Sequence, residues 1–206
     1  MWHPRLYLVT DRQRAGGRRL LEVVDLALQG GVDAVQLREK DLPARQLLDL
    51  AHPLCKLCHR FGARFLINDR IDVALAAGAD GVHLPANSFR VEEARRLLGA
   101  GRLVAASTHH LEEVHTAANE GADFVVFGPI FETPSKLAFG PPQGLDALAA
   151  AVAATALPVV AIGGINTVEH VEAVRRCGAS GIAVVGAVVG AVDPTAASRE
   201  LRAALD

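Results

Sequence analysis

Cationic and polar side chains follow an apolar run near the start of the chain, in the segment 34–40 (AVQLREK). Gln36, Arg38 and Lys40 occupy alternate positions there, so an extended chain would direct all three to the same side. An arginine guanidinium binds an anion through two parallel N–H groups, and a lysine ammonium adds a point charge. The segment therefore predicts a site for a phosphorylated ligand at the end of a strand.

Two further apolar runs end in polar groups in the same way. Asn68 and Asp69 follow one of them, and Lys136 lies in the loop after the other. If the strands are parallel, these groups and the cations Arg38 and Lys40 lie at one edge of the sheet. Asp69 then has two interpretations. It neutralises Arg38, or it holds Mg²⁺ against a diphosphate, because Mg²⁺ is often bound by one or two carboxylates together with phosphate oxygens.

Glycines follow the last two apolar runs of the chain. Gly163 and Gly164 end one run, and Gly186 follows Val185 at the end of the other. In many barrels a phosphate binds to backbone N–H groups of the loops after the seventh and eighth strands, where glycine allows close approach. These positions predict a second anion site. The alternative is that the glycines form tight turns and bind nothing.

Apolar runs alternate with segments of helical spacing, which predicts eight strand–helix pairs. The strands are expected at Leu6–Val9, Asp33–Leu37, Arg64–Ile67, Gly81–Leu84, Leu103–Ala106, Phe124–Phe127, Pro158–Ile162 and Ile182–Val185. The helices are expected at Leu20–Gln29, Pro43–Phe61, Ile71–Ala77, Val91–Leu98, Leu111–Asn119, Leu145–Ala154, Val168–Arg176 and Thr195–Leu205. Strict alternation with short connections implies parallel strands and right-handed crossovers. The sequence therefore predicts an α/β fold, a single (β/α)8 TIM barrel in one domain that spans residues 1–206.

Four segments share a pattern of glycine, a small or acidic residue and a short apolar strand. They are 30–37, 78–84, 121–127 and 178–185, at the second, fourth, sixth and eighth strands. The spacing indicates a repeating quarter-barrel unit. Independent selection for the same helix-to-strand turn explains the pattern equally well. Both interpretations give the same fold.

The composition argues against several classes of protein. A formal net charge of −2 gives no overall attraction to nucleic acid or to an anionic membrane. No apolar run reaches the roughly 20 residues that span a bilayer, and the N-terminal residues lack a signal-peptide pattern. The pair Cys55 and Cys58 lies in a helical apolar pattern, which favours packing over redox or zinc chemistry. We expect a cytoplasmic protein that acts on small molecules, without nucleic-acid or membrane partners. Homo-oligomerisation stays open.

Seven short segments at or near the strand ends carry a distinctive combination of residues, namely 6–11 (LYLVTD), 36–40 (QLREK), 67–70 (INDR), 81–84 (GVHL), 107–109 (STH), 128–136 (GPIFETPSK) and 161–165 (AIGGI). Together they resemble the thiamine-phosphate synthase/TenI superfamily. The resemblance extends over nearly the whole chain. It implies a transferase that joins hydroxymethylpyrimidine diphosphate to a thiazole phosphate, with Mg²⁺ as cofactor.

The resemblance also implies roles for individual residues. Those that hold the diphosphate would be Gln36, Arg38, Lys40, Asn68 and Lys136. Asp69 would bind Mg²⁺, and Ser107 would contact the pyrimidine. The thiazole phosphate would be held by Thr133, Ser135, the Gly163–Gly164 turn and the backbone of Val185 and Gly186.

The chain departs from the synthase pattern after the fourth strand. Synthases of the family usually have a second Mg²⁺-binding Asp at the position of Ser88. The sequence of this loop is closer to that of the TenI branch. Tautomerases of that branch use a His just after the sixth strand, where this chain has Pro129. A tautomerase would therefore need His83 or His109 as its acid–base group. From the residues alone, we expect His83 to be a buried barrel-interior side chain.

Three functions are thus compatible with the sequence. The first is the transferase, in which cations and Mg²⁺ stabilise the departing diphosphate. The second is a TenI-like thiazole tautomerase. The third is a non-catalytic relative that retains the ligand pockets.

Overall fold

The computed structural model describes residues 2–133 and 141–206. Its strands are β1 (Leu6–Val9), β2 (Ala34–Leu37), β3 (Arg64–Asn68), β4 (Gly81–Leu84), β5 (Leu103–Thr108), β6 (Phe124–Phe127), β7 (Val159–Ile162) and β8 (Gly181–Val184). Each strand pairs in parallel with the next, and β8 pairs with β1, so the sheet closes into a barrel. The predicted (β/α)8 fold is confirmed.

Helices follow the strands on the outside of the barrel. They are α1 (Leu20–Gln29), α2 (Ala44–Arg60), α3 (Ile71–Ala77), α4 (Val91–Leu98), α5 (Leu111–Asn119), α6 (Gly144–Ala153), α7 (Val168–Arg176), α8 (Gly186–Val189) and α9 (Pro194–Ala203). A 3₁₀ turn, Arg12–Arg14, follows β1. Within the described ranges, no helix has the length and apolar composition needed to cross a membrane.

The strands are short and apolar because both of their faces are buried. One face packs against the helices. The other fills the barrel with side chains that recur at every second position, namely Tyr7, Val9, Ala34, Leu66, Ala105, Phe124, Val126, Val160 and Ala183. This alternation fixes which residues after each strand point to the centre of the mouth.

Aromatic rings close the interior towards the N-terminal ends of the strands. Trp2 and Phe124 meet edge to face with their centroids 6.3 Å apart, and Phe124 meets Tyr7 in the same way at 5.9 Å. Tyr7 in turn stacks with His83 at 5.9 Å. The barrel is therefore a packed core with polar groups towards its C-terminal mouth.

Several predicted boundaries shift. Asp33 lies outside β2 because its carboxylate accepts the backbone N–H groups of Arg5 and Leu6 and pairs with Arg202 at 2.8 Å. The strand β8 begins and ends one residue earlier than predicted, so Val185 caps α8 instead of ending the strand. The sequence analysis missed both α8 and the turn Arg12–Arg14, because each is too short to show helical periodicity.

Candidate active site

The end of β2 is bound to the end of β1 through one hydroxyl group. Thr10 Oγ1 accepts the backbone N–H of Arg38 at 2.9 Å and donates to Glu39 Oε1 at 2.8 Å. Thr10 and Glu39 are both buried. Because Glu39 faces the outer layer, alternation directs the half-buried Arg38 to the opposite side, towards the barrel axis.

Glu39 is also the centre of a charged network. It accepts the backbone N–H of Arg12 at 3.1 and 3.2 Å and the Arg12 guanidinium at 3.0 Å. The same guanidinium binds Asp41 at 2.6 and 2.5 Å. Its hydrogen bond to Asp41 holds the pKa of that carboxyl down at about 2, and the two carboxylates raise the pKa of Arg12. This network fixes the loop after β1 against the loop after β2.

A chain of buried hydrogen bonds crosses the interior just below the mouth. Gln36 Nε2 donates to the hydroxyl of Tyr7 at 3.2 Å, and that hydroxyl lies 3.3 Å from His83 Nδ1. The other ring nitrogen, His83 Nε2, lies 2.8 Å from Ser107 Oγ. Four strands are thus linked, and Gln36 and Ser107 form the two ends of the chain. The prediction that His83 is a satisfied interior side chain is confirmed.

Burial keeps the imidazole of His83 neutral. Loss of solvent and, to a smaller extent, the nearby positive charge of Arg38 together lower the pKa of His83 to about 3. Burial likewise raises the pKa of Tyr7 well above its usual range. The floor of the mouth is therefore uncharged and carries directional hydrogen-bonding groups.

Asp69 has the backbone conformation of a tight turn, with φ +66°, which Asp tolerates better than most residues. Its N–H donates to the carbonyl oxygen of His83 at 2.9 Å, and its carboxylate accepts the hydroxyl of Ser88. Within residues 2–133 and 141–206, Asp69 and Arg38 form no ion pair. The interpretation of Asp69 as a neutralising partner of Arg38 is therefore wrong for the described chain.

The donor set around Asp69 fits Mg²⁺ as a partner of a phosphorylated ligand. One half-buried carboxylate and the Ser88 hydroxyl are hard oxygen donors, and Mg²⁺ is commonly bound by so few protein groups when phosphate and water complete the shell. In the described residues, no three His, Cys, Asp or Glu side chains cluster as a metal site. A metal held by protein groups alone does not fit this arrangement.

The glycines after β7 are required by packing. Gly163 and Gly164 have φ values of +101° and +70°. A Cβ at Gly164 would lie 2.6 Å from the Cβ of Phe131 and 2.7 Å from the carbonyl oxygen of Glu132. The turn after β7 therefore presses directly against the loop after β6. Gly186 is different, because a Cβ there would meet Arg14 at an ordinary 3.6 Å.

The structure places the remaining predicted residues on several loops. Asn68 ends β3 and pairs in register with His83. Lys40 is exposed in the loop after β2, and Thr133 is half-buried after β6. Ser135 and Lys136 lie outside the described residues, so their predicted contacts with ligand stay predictions.

Sequence reasoning missed three residues that shape this mouth. Thr10 and Glu39 carry polar groups at strand ends, a signal that could have attracted notice. Tyr7 lies inside an apolar run and gave none. His109 was considered as an acid–base group, and its Nδ1 contacts the carbonyl oxygen of Gly128 beside the β6 loop.

Comparison with known proteins gives consistent results. The family model described as thiamine monophosphate synthase matches residues 6–188. The thiamine-phosphate synthase of Methanoculleus marisnigri is 50% identical over 197 residues, which cover 96% of this chain and 93% of that protein. The thiamine-phosphate synthase of Roseiflexus castenholzii is 45% identical over 196 residues, which cover 95% of this chain and 86% of that protein.

A solved structure agrees with these sequence relationships. Thiamine phosphate pyrophosphorylase from Pyrococcus furiosus superposes with a TM-score of 0.89 at 37% identity, and the match covers 98% of this chain and 95% of that one. The likeness thus extends over nearly the whole of both chains.

Proposed function

The chain belongs to the thiamine monophosphate synthase family, and on this premise we propose that it transfers a hydroxymethylpyrimidine group from its diphosphate to a thiazole phosphate. The products are thiamine phosphate and diphosphate. The observation that carries the proposal is the shared mouth of β2 to β5. There Arg38 and Asp69 follow the ends of β2 and β3, next to the buried hydrogen-bond chain that runs from Gln36 to Ser107.

The diphosphate site is formed by the groups after β2 and β3. Gln36, Arg38, Lys40 and Asn68 surround it, and Lys136 is assigned to it from the resemblance. Support comes from Thr10, which binds the Arg38 backbone N–H and Glu39, because strand alternation then directs the Arg38 side chain towards the axis. A positioned cation stabilises the charge that builds up on a departing diphosphate without reorganising during the reaction.

Asp69 and Ser88 would hold Mg²⁺ between the protein and the diphosphate. The bound cation would neutralise phosphate charge and so lower the barrier to diphosphate departure. Ser88 stands where the family usually has a second carboxylate, so the protein supplies one negative charge instead of two. We expect Mg²⁺ to bind this chain mainly together with the diphosphate.

The second substrate is assigned to the opposite side of the mouth. Its phosphate would contact Thr133, Ser135, the Gly163–Gly164 turn and the backbone of Val185 and Gly186. Helix α8 begins at Gly186, and the unpaired N–H groups of a first helical turn favour an anion. Both substrates then approach each other over Ser107, which would contact the pyrimidine.

Catalysis in this proposal is electrostatic and positional. As the diphosphate leaves, the pyrimidine methylene acquires carbocation character, and the thiazole nitrogen attacks it with its lone pair. This step needs no general base. His83 agrees with that requirement, because both of its ring nitrogens are engaged in hydrogen bonds and it stays neutral. The loop after β4 is closer in sequence to the TenI branch, but no contact among the described residues favours the tautomerase or the non-catalytic alternative.

A steady-state assay tests the proposal. Both substrates are supplied with and without Mg²⁺, and thiamine phosphate and diphosphate are measured as products. Equal amounts of the two products, formed only when both substrates and Mg²⁺ are present, are expected. Proton exchange on a thiazole carboxylate phosphate without product formation would identify a tautomerase instead.

Other parts of the assignment stay predictions from the sequence. They are the cytoplasmic location, the single domain over residues 1–206 and the lack of nucleic-acid and membrane partners. The proposal is compatible with a monomer and with a homo-oligomer. The substrates are small molecules in every version of the proposal.

A further inference from the structure

The interior hydrogen-bond chain has a direction, which follows from the donors and acceptors along it. Gln36 Nε2 donates to the Tyr7 oxygen, so the Tyr7 hydrogen is directed to its other neighbour, His83 Nδ1. His83 Nδ1 is then an acceptor, and a neutral imidazole with one accepting nitrogen carries its hydrogen on the other. His83 Nε2 therefore donates to Ser107 Oγ at 2.8 Å.

The direction of the chain decides what Ser107 offers to a ligand. Its oxygen already accepts the hydrogen of His83, and among the described residues no group accepts the hydrogen of the Ser107 hydroxyl. Ser107 is half-buried at the mouth end of β5. Its remaining hydrogen is thus available on the side where the substrate binds.

We propose that Tyr7 and His83 are positioning residues that fix Ser107 as a hydrogen-bond donor, and that this donor selects the unprotonated ring nitrogen of an aminopyrimidine rather than its amino group. The inference rests on the proposed function and specifies how that site recognises one substrate. A chain running in the opposite direction would leave Ser107 as an acceptor, which would select the amino N–H instead.

The surroundings favour a fixed direction over an adaptable one. Tyr7 and His83 are almost fully buried, and an imidazolium would have to stand beside the positive charge of Arg38. Water does not compete in such a place, so each hydrogen bond constrains the next. Reversal would require the Gln36 amide, the Tyr7 hydroxyl and the His83 tautomer to change together.

The tautomer of His83 tests the direction without any substrate. Long-range ¹H–¹⁵N spectra of the full chain labelled with ¹⁵N-histidine distinguish the two ring nitrogens. The His83 signals are assigned by their loss in His83→Gln. We expect a neutral ring with hydrogen on Nε2 and a bare Nδ1. A ring with hydrogen on Nδ1 would overturn the proposal.

A ligand comparison tests the recognition. Calorimetry without the thiazole substrate measures the aminopyrimidine diphosphate, its deamino analogue and the two pyridine analogues that each lack one ring nitrogen. Loss of one neutral hydrogen bond weakens binding by roughly three- to tenfold. In the wild type we expect this loss of affinity for the pyridine analogue that lacks the ring nitrogen contacted by Ser107. In Ser107→Ala, that analogue and the parent compound should bind equally, because the donor to the ring nitrogen is gone.

Tyr7→Phe tests the positioning role, since it removes one oxygen and keeps the ring that packs against Phe124. We expect mixed His83 tautomers and a smaller difference between the parent compound and that pyridine analogue. Val126→Ala is the packing control. Val126 pairs in register with Ser107 and takes no part in the chain, so it should weaken all four ligands alike and leave the tautomer unchanged.

The outcomes separate the two proposals. A wild-type protein that binds none of the diphosphates would refute the proposed function and the choice of ligand together. The His83 tautomer would still show whether the hydrogen bonds have the inferred direction. A wild type that binds them normally would refute the inference alone if Ser107→Ala abolished the cost of removing the amino group and left the cost of removing each ring nitrogen unchanged. So would an unchanged preference in Tyr7→Phe.

Discussion

The hydroxyl of Thr10 donates to the carboxylate of Glu39 at 2.8 Å, and the same oxygen accepts the backbone N–H of Arg38 at 2.9 Å. One small side chain at the end of β1 therefore sets both the outward direction of Glu39 and the inward direction of Arg38. The anion site of the mouth depends on a carboxylate that does not face it.

Glu39→Gln should weaken the pyrimidine diphosphate site although the residue does not contact the ligand. The amide retains a hydrogen bond to Thr10 but removes the charge that binds Arg12 at 3.0 Å. We expect a stability loss of roughly 1–3 kcal/mol and a raised KM for the pyrimidine diphosphate. The KM for the thiazole phosphate should stay close to wild type.

Asp41→Asn is the matched control, because Asp41 binds the same guanidinium but is exposed. Exposed ion pairs contribute little to stability, so chemical denaturation and kinetics should both stay near wild type. If the two variants had equal effects, Glu39 would have no special part in holding Arg38.

Arg38→Ala should abolish diphosphate-dependent turnover and leave the fold intact, since Arg38 is half-buried beyond the end of β2. The reason is the loss of a bidentate cation where diphosphate charge develops. Kinetics and circular dichroism measure the two effects. Arg96→Ala on the exposed side of α4 removes an equal charge elsewhere and should leave turnover unchanged. A folded Arg38→Ala variant with wild-type activity would remove the diphosphate site from β2.

Strand positions and mouth residues were largely predictable because parallel strands have a strong local signal. Apolar runs of four to six residues locate them, and alternation then assigns Gln36 and Arg38 to the interior side. The contact of Tyr7 with His83 was not predictable in this way. It joins residues that are 76 positions apart, and it depends on the register with which the barrel closes. The same holds for Asp33, whose role as a clasp for Arg202 left no local pattern.

Ser88→Asp should lower the Mg²⁺ concentration that gives a half-maximal rate. In the wild type the Ser88 hydroxyl donates to Asp69, so a carboxylate at this position would stand directly beside a second one. Two carboxylates repel each other without a cation and bind Mg²⁺ more strongly than one carboxylate and a hydroxyl. Thermal unfolding should therefore show a variant that is less stable without Mg²⁺ and gains more from its addition.

Ser88→Asn provides the control for size, since it adds a side chain similar to Asp without the charge. It should leave the Mg²⁺ requirement unchanged or raise it. If Ser88→Asp also left both the kinetic requirement and the Mg²⁺-dependent stabilisation unchanged, the loop after β4 would not face the metal.

Gly164→Val should weaken binding of the thiazole phosphate far more than binding of the pyrimidine diphosphate. The structure gives a different reason for this effect than the sequence did. The sequence suggested that a side chain would block the approach of phosphate. In the structure a Cβ would first meet Phe131 at 2.6 Å and displace the loop that carries Thr133. Gly101→Ala is the control, because a Cβ there meets nothing within 4 Å and Gly101 precedes β5, at the opposite end of the barrel. Calorimetry with each substrate alone decides whether the loss is selective, and equal weakening of both would show that the two sites are not separate.

Acid should destabilise the folded chain through His83 in a window set by its lowered pKa. The buried imidazole has a pKa of about 3, lowered first by burial and then by Arg38, whereas an unfolded histidine titrates near 6.5. Between these values the unfolded chain binds a proton that the folded chain does not. Stability therefore falls as the pH drops through that window, by up to about 1.4 kcal/mol per pH unit.

The contribution of His83 has to be measured as a difference between two variants. Carboxylates such as Asp41 and Asp72 also have a lowered pKa in the folded chain, so their stabilising contribution is lost in acid as well. Denaturation of wild type and His83→Gln from pH 7 to pH 4 provides this difference. His83→Gln should be less stable than wild type at pH 7. The difference in their free energies of unfolding should become smaller as the pH falls, because glutamine has no proton to gain. A difference that stays constant would mean that His83 gains its proton equally in the folded and the unfolded chain, and the floor of the mouth would then become charged below about pH 6.5.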